Sequence, residues 1–346
     1  MTHNFVLMSA MPPTTGHLDL IEFARWLGGY TTVLVHTEPQ EPFRNERYNA
    51  LRWNFALAND VEVVHVEDSN LAQDPKTEAE WDVWRKLYAD NGFAPGDRIV
   101  SSETYGVELA KQLGGQFFPY DLGRVINGIT ATEIRRDPWL MWDYIVPEFR
   151  AYLQKRVTIF GAESTGKTSL AEDMQYSMYV KTGTIVRSGI TPEWARPYLE
   201  AAGSELTEEK MHAIFDGQYA MEHVVRQKAE NPVTILDTDA WSTIGYWEAW
   251  KQEDAPEMWK LRARKSDLYI IPRSNIPFEA NELRYGGDKR EFSDEYWIDF
   301  AERNKLPYVI LETSDRWDRS QEALSYVVSL LAKNPLDYDR HGDLHG

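Results

Sequence analysis

The segment GAESTGKT at residues 161–168 fits the phosphate-loop pattern G-x-x-x-x-G-K-[ST] at every position. A short apolar run precedes it at 157–160, and residues 169–179 have the composition of a helix. This order predicts a strand, a glycine-containing loop and a helix N-terminus, whose backbone N–H groups and dipole favour a bound phosphate. The second half of the chain is therefore predicted to bind a nucleotide.

Two side chains at the end of this loop have defined tasks in phosphate-loop proteins. Lys167 would reach the β and γ phosphates, and the hydroxyl of Thr168 would bind Mg²⁺. Mg²⁺ is therefore the expected cofactor. The residues predicted to contact the nucleotide are Gly161, Glu163, Ser164, Thr165, Gly166, Lys167, Thr168 and Ser169.

The chain as a whole alternates predicted strands with predicted helices. Its 346 residues suggest two domains, at roughly 150 residues each. The alternation predicts an α/β fold with two doubly wound parallel sheets, in which ligands bind beyond the carboxyl ends of the strands. We expect domains at 1–150 and 151–335, a polar tail at 336–346 and a helical bridge at 137–153. The predicted strands are 5–8, 32–36, 61–66, 98–101, 116–118, 157–160, 183–186, 233–236, 268–271 and 308–311.

The composition narrows the classes of function. The formal net charge of −18 argues against general binding to nucleic acid or to anionic membranes. Cysteine is absent, which excludes disulfides, thiolate nucleophiles and cysteine-based zinc sites. The sequence has no apolar run long enough to span a membrane and no signal-peptide pattern at its start, so a cytoplasmic location is expected. The composition leaves open whether the chain forms a homo-oligomer.

Two segments of the first half have residues suited to phosphate binding. Thr14, Gly16 and His17 open a predicted helix directly after the first strand, where an imidazole and a helix N-terminus can both hold an anion. The segment ITATEIR at 129–135 starts another helix with hydroxyls and a guanidinium. Taken singly, each segment also fits an ordinary capped helix at the surface.

Taken together, these segments resemble the (H/T)-x-G-H and I-S-x-T-x-x-R signatures of the nucleotidyltransferase superfamily. The segment SSETYG at 101–106 resembles the S-S-E-P-Y-G segment of NadR-type proteins, which join nicotinamide-mononucleotide (NMN) adenylyltransferase to ribosylnicotinamide kinase. In that family the phosphate-loop domain directly follows the transferase domain, as it does here. The resemblance covers roughly residues 5–333.

The resemblance implies that the first domain, with a Rossmann-like fold, transfers AMP from ATP to NMN, giving NAD and pyrophosphate. His17 and Arg135 would be catalytic, with His17 stabilising the α and β phosphates in the transition state. The residues implied to hold ATP are Thr14, Gly16, His17, Thr130, Thr132 and Arg135. The residues implied to lie near NMN are Ser102, Glu103 and Tyr105.

For the second domain, the resemblance implies phosphorylation of nicotinamide riboside by ATP. Residues 191–198 resemble the family's W-E-Y-A-R-E-Y segment, so Glu193 would orient the riboside hydroxyl or accept its proton, and Arg196 would contact the substrate or the product phosphate. Residues 233–239 match F-I-D-T-D, which assigns Asp237 to the metal and Asp239 to the riboside, although the two could exchange roles. Arg284 and Arg290 stand where the family has its D-G-x-R lid.

The sequence also departs from the family. Residues 8–12 lack the glycine and the aromatic residue of the usual G-x-F-x-P, and Thr14 replaces the first histidine of H-x-G-H. These changes leave an alternative open, in which the kinase is active and the first domain only senses nucleotides. A different nucleotide pair and a regulatory ATPase are further alternatives. The first strand is predicted from residue 5, so the N-terminal helix-turn-helix repressor domain common in the family is expected to be lacking.

Overall fold

The structure of the protein is a computed structural model that describes residues 2–68, 70–72, 75–181, 188–276 and 293–337, with the backbone alone at 176–181. The chain divides into two compact units, one of Met1–Tyr152 with Asn334–Gly346 and the other of Leu153–Lys333. The described residues of each unit form a five-stranded parallel sheet with flanking helices. The predicted α/β class is confirmed.

In the first unit the sheet has the order β3-β2-β1-β4-β5, so β1 is central. The chain adds β2 and β3 on one side of β1 and then adds β4 and β5 on the other side. This change of side opens a crevice at the carboxyl end of β1, where ligands bind in this class of sheet. The strands are β1 His3–Met8, β2 Tyr30–Thr37, β3 Val61–Glu67, β4 Arg98–Ser101 and β5 Gln116–Pro119.

Helices cover both faces of this sheet because successive strand side chains point to opposite sides. One layer is formed by α1 and α2, and its buried side chains include Val6, Ile21, Val33 and Leu51. The opposite layer is formed by α3 and α4, and its buried side chains include Phe5, Leu34, Tyr88 and Leu109. The helices are α1 Thr15–Trp26, α2 Arg44–Asn54, α3 Glu78–Asp90, α4 Tyr105–Leu113, α5 Ala131–Arg136 and α6 Pro147–Leu153.

The predicted helical bridge at 137–153 is wrong as a single element. The chain forms a short 3-10 turn at Trp142–Tyr144, and α6 then begins at Pro147. Proline lacks a backbone N–H and is tolerated at the first position of a helix but not in its interior, so Pro147 starts a helix here.

Near the other end of the chain, Asn334 donates to the carbonyl of Arg135 at 2.6 Å, and Leu336 is buried.

The sheet of the second unit has the order β10-β9-β6-β8-β7. The predicted strand at 183–186 lies outside the described residues, and the described edge strand begins at Ser188. The strands are β6 Lys155–Ile159, β7 Ser188–Thr191, β8 Val233–Asp237, β9 Leu268–Pro272 and β10 Tyr308–Leu311. The phosphate-loop segment thus leaves the central strand of this sheet.

Aromatic side chains fill much of the core beside this sheet. Phe160 meets Trp297 edge to face at 4.8 Å between ring centroids, a favoured aromatic geometry. The helices are α7 Lys167–Lys181, α8 Ala195–Ala202, α9 Glu208–Lys228, α10 Ala240–Lys251, α11 Glu257–Arg262, α12 Asp294–Arg303 and α13 Arg316–Leu331. Across the described ranges of both units, no helix combines the length and the apolar character that crossing a membrane requires.

Candidate functional site

The loop after β1 fixes the protonation of His17. Thr14 caps α1, and its hydroxyl accepts from the backbone N–H of His17 at 3.2 Å. The backbone N–H of Thr14 donates to Nδ1 of His17 at 3.0 Å, which makes that nitrogen an acceptor. Burial lowers the pKa of His17 from 6.5 to about 4. At neutral pH the imidazole is therefore neutral with its proton on Nε2, which leaves Nε2–H as a hydrogen-bond donor.

Arg135 joins the two signature segments of the first unit. Its Nη1 donates to the carbonyl of Met11 at 2.8 Å, and its Nη2 donates to the Thr132 hydroxyl at 3.0 Å. Thr130 caps α5 and exchanges hydrogen bonds with Glu133, whose carboxylate accepts from the Thr130 hydroxyl at 2.8 Å. The structure thus brings Arg135 and Thr132 to the loop after β1, while the Thr130 hydroxyl is engaged within its own helix cap.

Gly16 lies beneath the loop that follows β5. A Cβ atom at Gly16 would lie 3.4 Å from Cγ of Asn127, which is an ordinary van der Waals distance. The Asn127 amide donates to the Tyr120 hydroxyl at 3.2 Å, which fixes the side chain over the start of α1. The start of α1 and the segment at Asn127 therefore lie next to each other at the carboxyl end of the sheet.

The residues implied to lie near NMN follow β4, the neighbour of β1. The Tyr105 hydroxyl donates to the carbonyl of Leu7 at 3.4 Å, next to the end of β1. Glu103 forms an ion pair with Arg124 at 3.4 Å. Ser102, the first residue after β4, is half-buried. All three predicted residues lie at the carboxyl end of the sheet.

In the second unit, the phosphate loop uses backbone conformations that favour glycine. Gly161 has φ +135° and Gly166 has φ +76°, and Ser164 between them has φ +55°. A Cβ at Gly166 would lie 3.3 Å from Ile276. The Thr165 hydroxyl donates to the carbonyl of Ala162 at 2.9 Å and closes the loop. Thr165 is almost fully buried, so its side chain shapes the loop and does not face solvent.

Lys167 and Thr168 begin α7 at the mouth of this loop. The Lys167 ammonium donates to the carbonyls of Gly161 and Ala162 at 3.1 and 2.9 Å. The Thr168 hydroxyl donates to Oδ2 of Asp237 at 2.6 Å. Glu163 is partly buried within the loop, and Ser169 is exposed on the first turn of α7. The predicted phosphate-loop residues therefore lie together at the carboxyl end of β6.

The Asp237 carboxylate fits a Mg²⁺ site. Within the described part of the chain, its Oδ1 is buried and has no hydrogen-bond partner. A buried acceptor left in this state costs about 1–3 kcal/mol, and a cation beside it would remove that cost. Carboxylate and hydroxyl oxygens are the ligands that Mg²⁺ prefers. Asp237 and Thr168 are thus suited to hold Mg²⁺.

Glu193 shares the electrostatic environment of the phosphate loop. Burial raises the pKa of Glu193, and the positive charge of Lys167 opposes that rise. Burial lowers the pKa of Lys167, and the negative charges of Glu193 and Asp237 oppose that change. Arg196 pairs with Glu193 at 3.5 Å. The structure therefore brings the predicted proton acceptor, the loop lysine and the predicted metal ligand Asp237 into one site.

Asp239, which the resemblance assigns to the riboside, makes its hydrogen bonds within the protein in this structure. Asp239 is fully buried and caps α10, and its Oδ1 accepts from the backbone N–H of Ser242 at 2.9 Å. Its Oδ2 accepts from the hydroxyl of Tyr269 at 2.9 Å. Both oxygens are therefore used by protein donors. Thr238 has φ +71°, an unusual conformation for a β-branched residue, and it separates Asp237 from this buried carboxylate.

A buried polar network behind this site was not predicted. Arg156 pairs with Glu222 at 2.7 Å, and both side chains are about 4% exposed. Gln218, one turn before Glu222 on α9, is also buried. The only sequence signal was the spacing of these polar residues on the face that also carries Met211 and Phe215. The predicted lid residues, Arg284 and Arg290, lie outside the described residues.

A protein-family model matches part of the second unit, and two known proteins are similar to most of the chain. The AAA domain family matches residues 156–319, which contain the phosphate loop and Asp237. The trifunctional NAD biosynthesis/regulator protein NadR of Escherichia coli (strain K12) is 24% identical over 308 residues, which are 85% of this chain and 72% of the relative. The protein of the same name from Salmonella typhimurium is 23% identical over the same shares.

Solved structures of NadR match both units. The crystal structure of NadR protein in complex with NR has a TM-score of 0.70 at 22% identity, covering 99% of this chain and 98% of that one. The predicted resemblance to NadR is confirmed. A second NadR structure, in complex with NAD and AMP-PNP, has a TM-score of 0.69 at 23% identity and covers 98% of both chains. The likeness to these two structures shows a shared fold over both units.

Proposed function

We propose that this chain carries out two successive steps of NAD synthesis. The second unit phosphorylates nicotinamide riboside with ATP, and the first unit adenylylates the resulting NMN with a second ATP. The observation that carries the proposal is the convergence of Lys167, Thr168, Glu193 and Asp237 at one phosphate loop. The NadR structures in complex with NR, and with NAD and AMP-PNP, support this choice of substrates.

In the kinase step, Glu193 accepts the proton of the riboside hydroxyl as that oxygen bonds to the γ-phosphorus of ATP. The bond between that phosphorus and the β–γ bridging oxygen breaks, and ADP leaves. Burial makes the Glu193 carboxylate more basic than an exposed one, which suits proton acceptance. Lys167 exchanges its carbonyl partners for phosphate oxygens. When bound, Mg²⁺ neutralises charge on the phosphates.

In the adenylylation step, the phosphate of NMN attacks the α-phosphorus of ATP, and pyrophosphate leaves. No covalent intermediate with the protein is needed, so the unit acts by orienting the substrates and by neutralising charge. His17 donates from Nε2 to a phosphate oxygen: its low pKa keeps the ring neutral at neutral pH, and the hydrogen bond that Nδ1 accepts from Thr14 places the remaining proton on Nε2. Arg135 supplies positive charge at the loop after β1.

Product analysis of two reactions tests the proposal. The chain is supplied with ATP and Mg²⁺, together with either nicotinamide riboside or NMN, and the products are separated by chromatography. NAD in both reactions is the expected result. NMN from the riboside without NAD in either reaction would leave a kinase with a nucleotide-sensing first unit, which the replacement of histidine by Thr14 motivates. Hydrolysis of ATP that does not respond to riboside would overturn the kinase assignment.

A further inference from the structure

Gln218 spans the gap between two segments of the kinase site. Its Oε1 accepts from the backbone N–H of Trp194 at 3.0 Å, and its Nε2 donates to the backbone carbonyl of Thr238 at 3.4 Å. Trp194 directly follows Glu193, and Thr238 directly follows Asp237. One buried side chain on α9 is therefore bonded to the main chain next to both carboxylates.

This bridge continues into the network behind the site. The Gln218 amide also lies 3.4 Å from Oε1 of Glu222, which accepts from the backbone N–H of Ala240 at 2.7 Å. Glu222 in turn pairs with Arg156 of β6, the strand that leads to the phosphate loop. Three segments of the second unit, at Trp194, at 238–240 and at Arg156, are thus tied to α9.

Both attachment points need to be held. Thr238 has a left-handed backbone, which the surroundings must maintain for Asp237 to face Thr168. Trp194 packs against α9 so closely that a Cβ at Gly217 would lie 2.3 Å from its ring. The segment that carries Glu193 is therefore seated on α9 by packing at Gly217 and by a hydrogen bond at Gln218.

We infer that Gln218 is a positioning residue of the proposed riboside kinase, setting the separation between Glu193 and Asp237 by bridging the backbones beside them. The inference rests on the proposed kinase function. An amide suits this task because it offers an acceptor at one atom and a donor at the other, whereas a carboxylate or an aliphatic side chain cannot serve both partners. Gln218 itself is not proposed to touch substrate.

The test compares Gln218→Met with Gln227→Met, the same change at an exposed position of the same helix. Hydrogen–deuterium exchange of the peptides covering 193–196 and 237–240 reports on the bridge without any need for activity. Riboside phosphorylation is measured with saturating Mg²⁺, and kcat is separated from KM for ATP. Adenylylation of supplied NMN and the thermal transition of the second unit serve as checks on folding.

In Gln218→Met we expect faster exchange in both peptides and a kcat lower by about 10- to 100-fold, because small displacements of reacting groups have effects of this size. KM for ATP is expected to change by less than about threefold. Gln227→Met is expected to behave as the wild type. If Gln218→Met has no thermal transition, Gln218→Glu is used in its place. A carboxylate can accept from Trp194 but cannot donate to Thr238, so we expect this variant to keep protection from exchange at 193–196 and to lose it at 237–240.

Unchanged exchange in Gln218→Met would overturn the bridge, and faster exchange with an unchanged kcat would overturn its role in positioning. A rise in KM for ATP with kcat unaltered would also contradict the inference, because it would point to nucleotide binding. If the proposed kinase function itself were wrong, the wild type would phosphorylate no riboside, whatever the exchange experiment showed.

Discussion

The Thr168 hydroxyl donates to Oδ2 of Asp237 at 2.6 Å, linking the first turn of α7 to the end of β8. Asp237 thereby presents two different oxygens. One is held by the phosphate loop, and the other is buried and, among the described residues, has no hydrogen-bond partner. This arrangement leaves the second oxygen available to the Mg²⁺ that we propose for this site.

Replacing Asp237 by Asn is expected to lower Mg²⁺-dependent riboside phosphorylation by at least about 100-fold, because the charged ligand is lost. The measurement is a Mg²⁺ titration of the initial rate at fixed ATP and riboside. Thr168→Ser keeps the hydroxyl that contacts Asp237 and serves as the matched control, with activity within about tenfold of the wild type. An Asp237→Asn variant with an unaltered Mg²⁺ dependence would show that this carboxylate does not serve the metal.

Glu193→Gln tests the proposed proton acceptor. The variant keeps the size of the side chain but cannot take the hydroxyl proton, so kcat for riboside phosphorylation should fall by about 10²- to 10⁴-fold. ATP affinity, measured by calorimetric titration, should change little because the phosphate loop is intact. Glu200→Gln, at an exposed position of α8, is the control. If kcat survived while KM for riboside rose, Glu193 would be a binding group only.

Most of the scaffold was predictable from the sequence. The strands at 98–101 and 308–311 were predicted with the bounds of β4 and β10, because each has two β-branched apolar residues at its centre and turn-forming residues nearby. The phosphate loop was predictable because its glycines and its lysine stand at fixed spacing. The bridge at 137–153 was mispredicted because local helical composition outweighed the effect of Pro147 at its centre.

The buried polar chemistry was not predictable. Asp237 and Asp239 are two residues apart, and the sequence alone left their roles interchangeable. The left-handed backbone of Thr238 sends one carboxylate to the loop and the other into the core, where Tyr269 and Ser242 occupy it. That conformation depends on tertiary contacts, which no local pattern encodes.

A substitution in one site should lower the activity of that site and leave the other activity intact. Lys167→Ala is expected to lower riboside phosphorylation by at least about 100-fold and to leave adenylylation of supplied NMN intact, because the lysine belongs to the phosphate loop alone. Arg135→Ala is expected to produce the reverse, since it removes both positive charge and the contact with Met11. Both rates are measured on each variant. A parallel loss of both activities in either variant would refute the assignment of one reaction to each unit.

The low pKa of His17 makes a prediction about stability. Its folded-state pKa of about 4 lies below the ordinary value of 6.5, so the unfolded chain binds more protons between these two values. The free energy of unfolding of the first unit should therefore fall as the pH drops from 6.5 towards 4. At pH 5 this single group accounts for a loss of about 1–2 kcal/mol.

His17→Gln removes the titrating ring while other groups titrate as before. Urea unfolding of the wild type and the variant is compared at pH 7.5 and pH 5, following a signal of the first unit. The wild type should lose about 1–2 kcal/mol more than His17→Gln over this interval, because only its unfolded state gains a proton at this position. Equal losses would mean that the imidazole has an ordinary pKa in the folded protein. The ring proposed to donate from Nε2 in adenylylation would then become positively charged below pH 6.5.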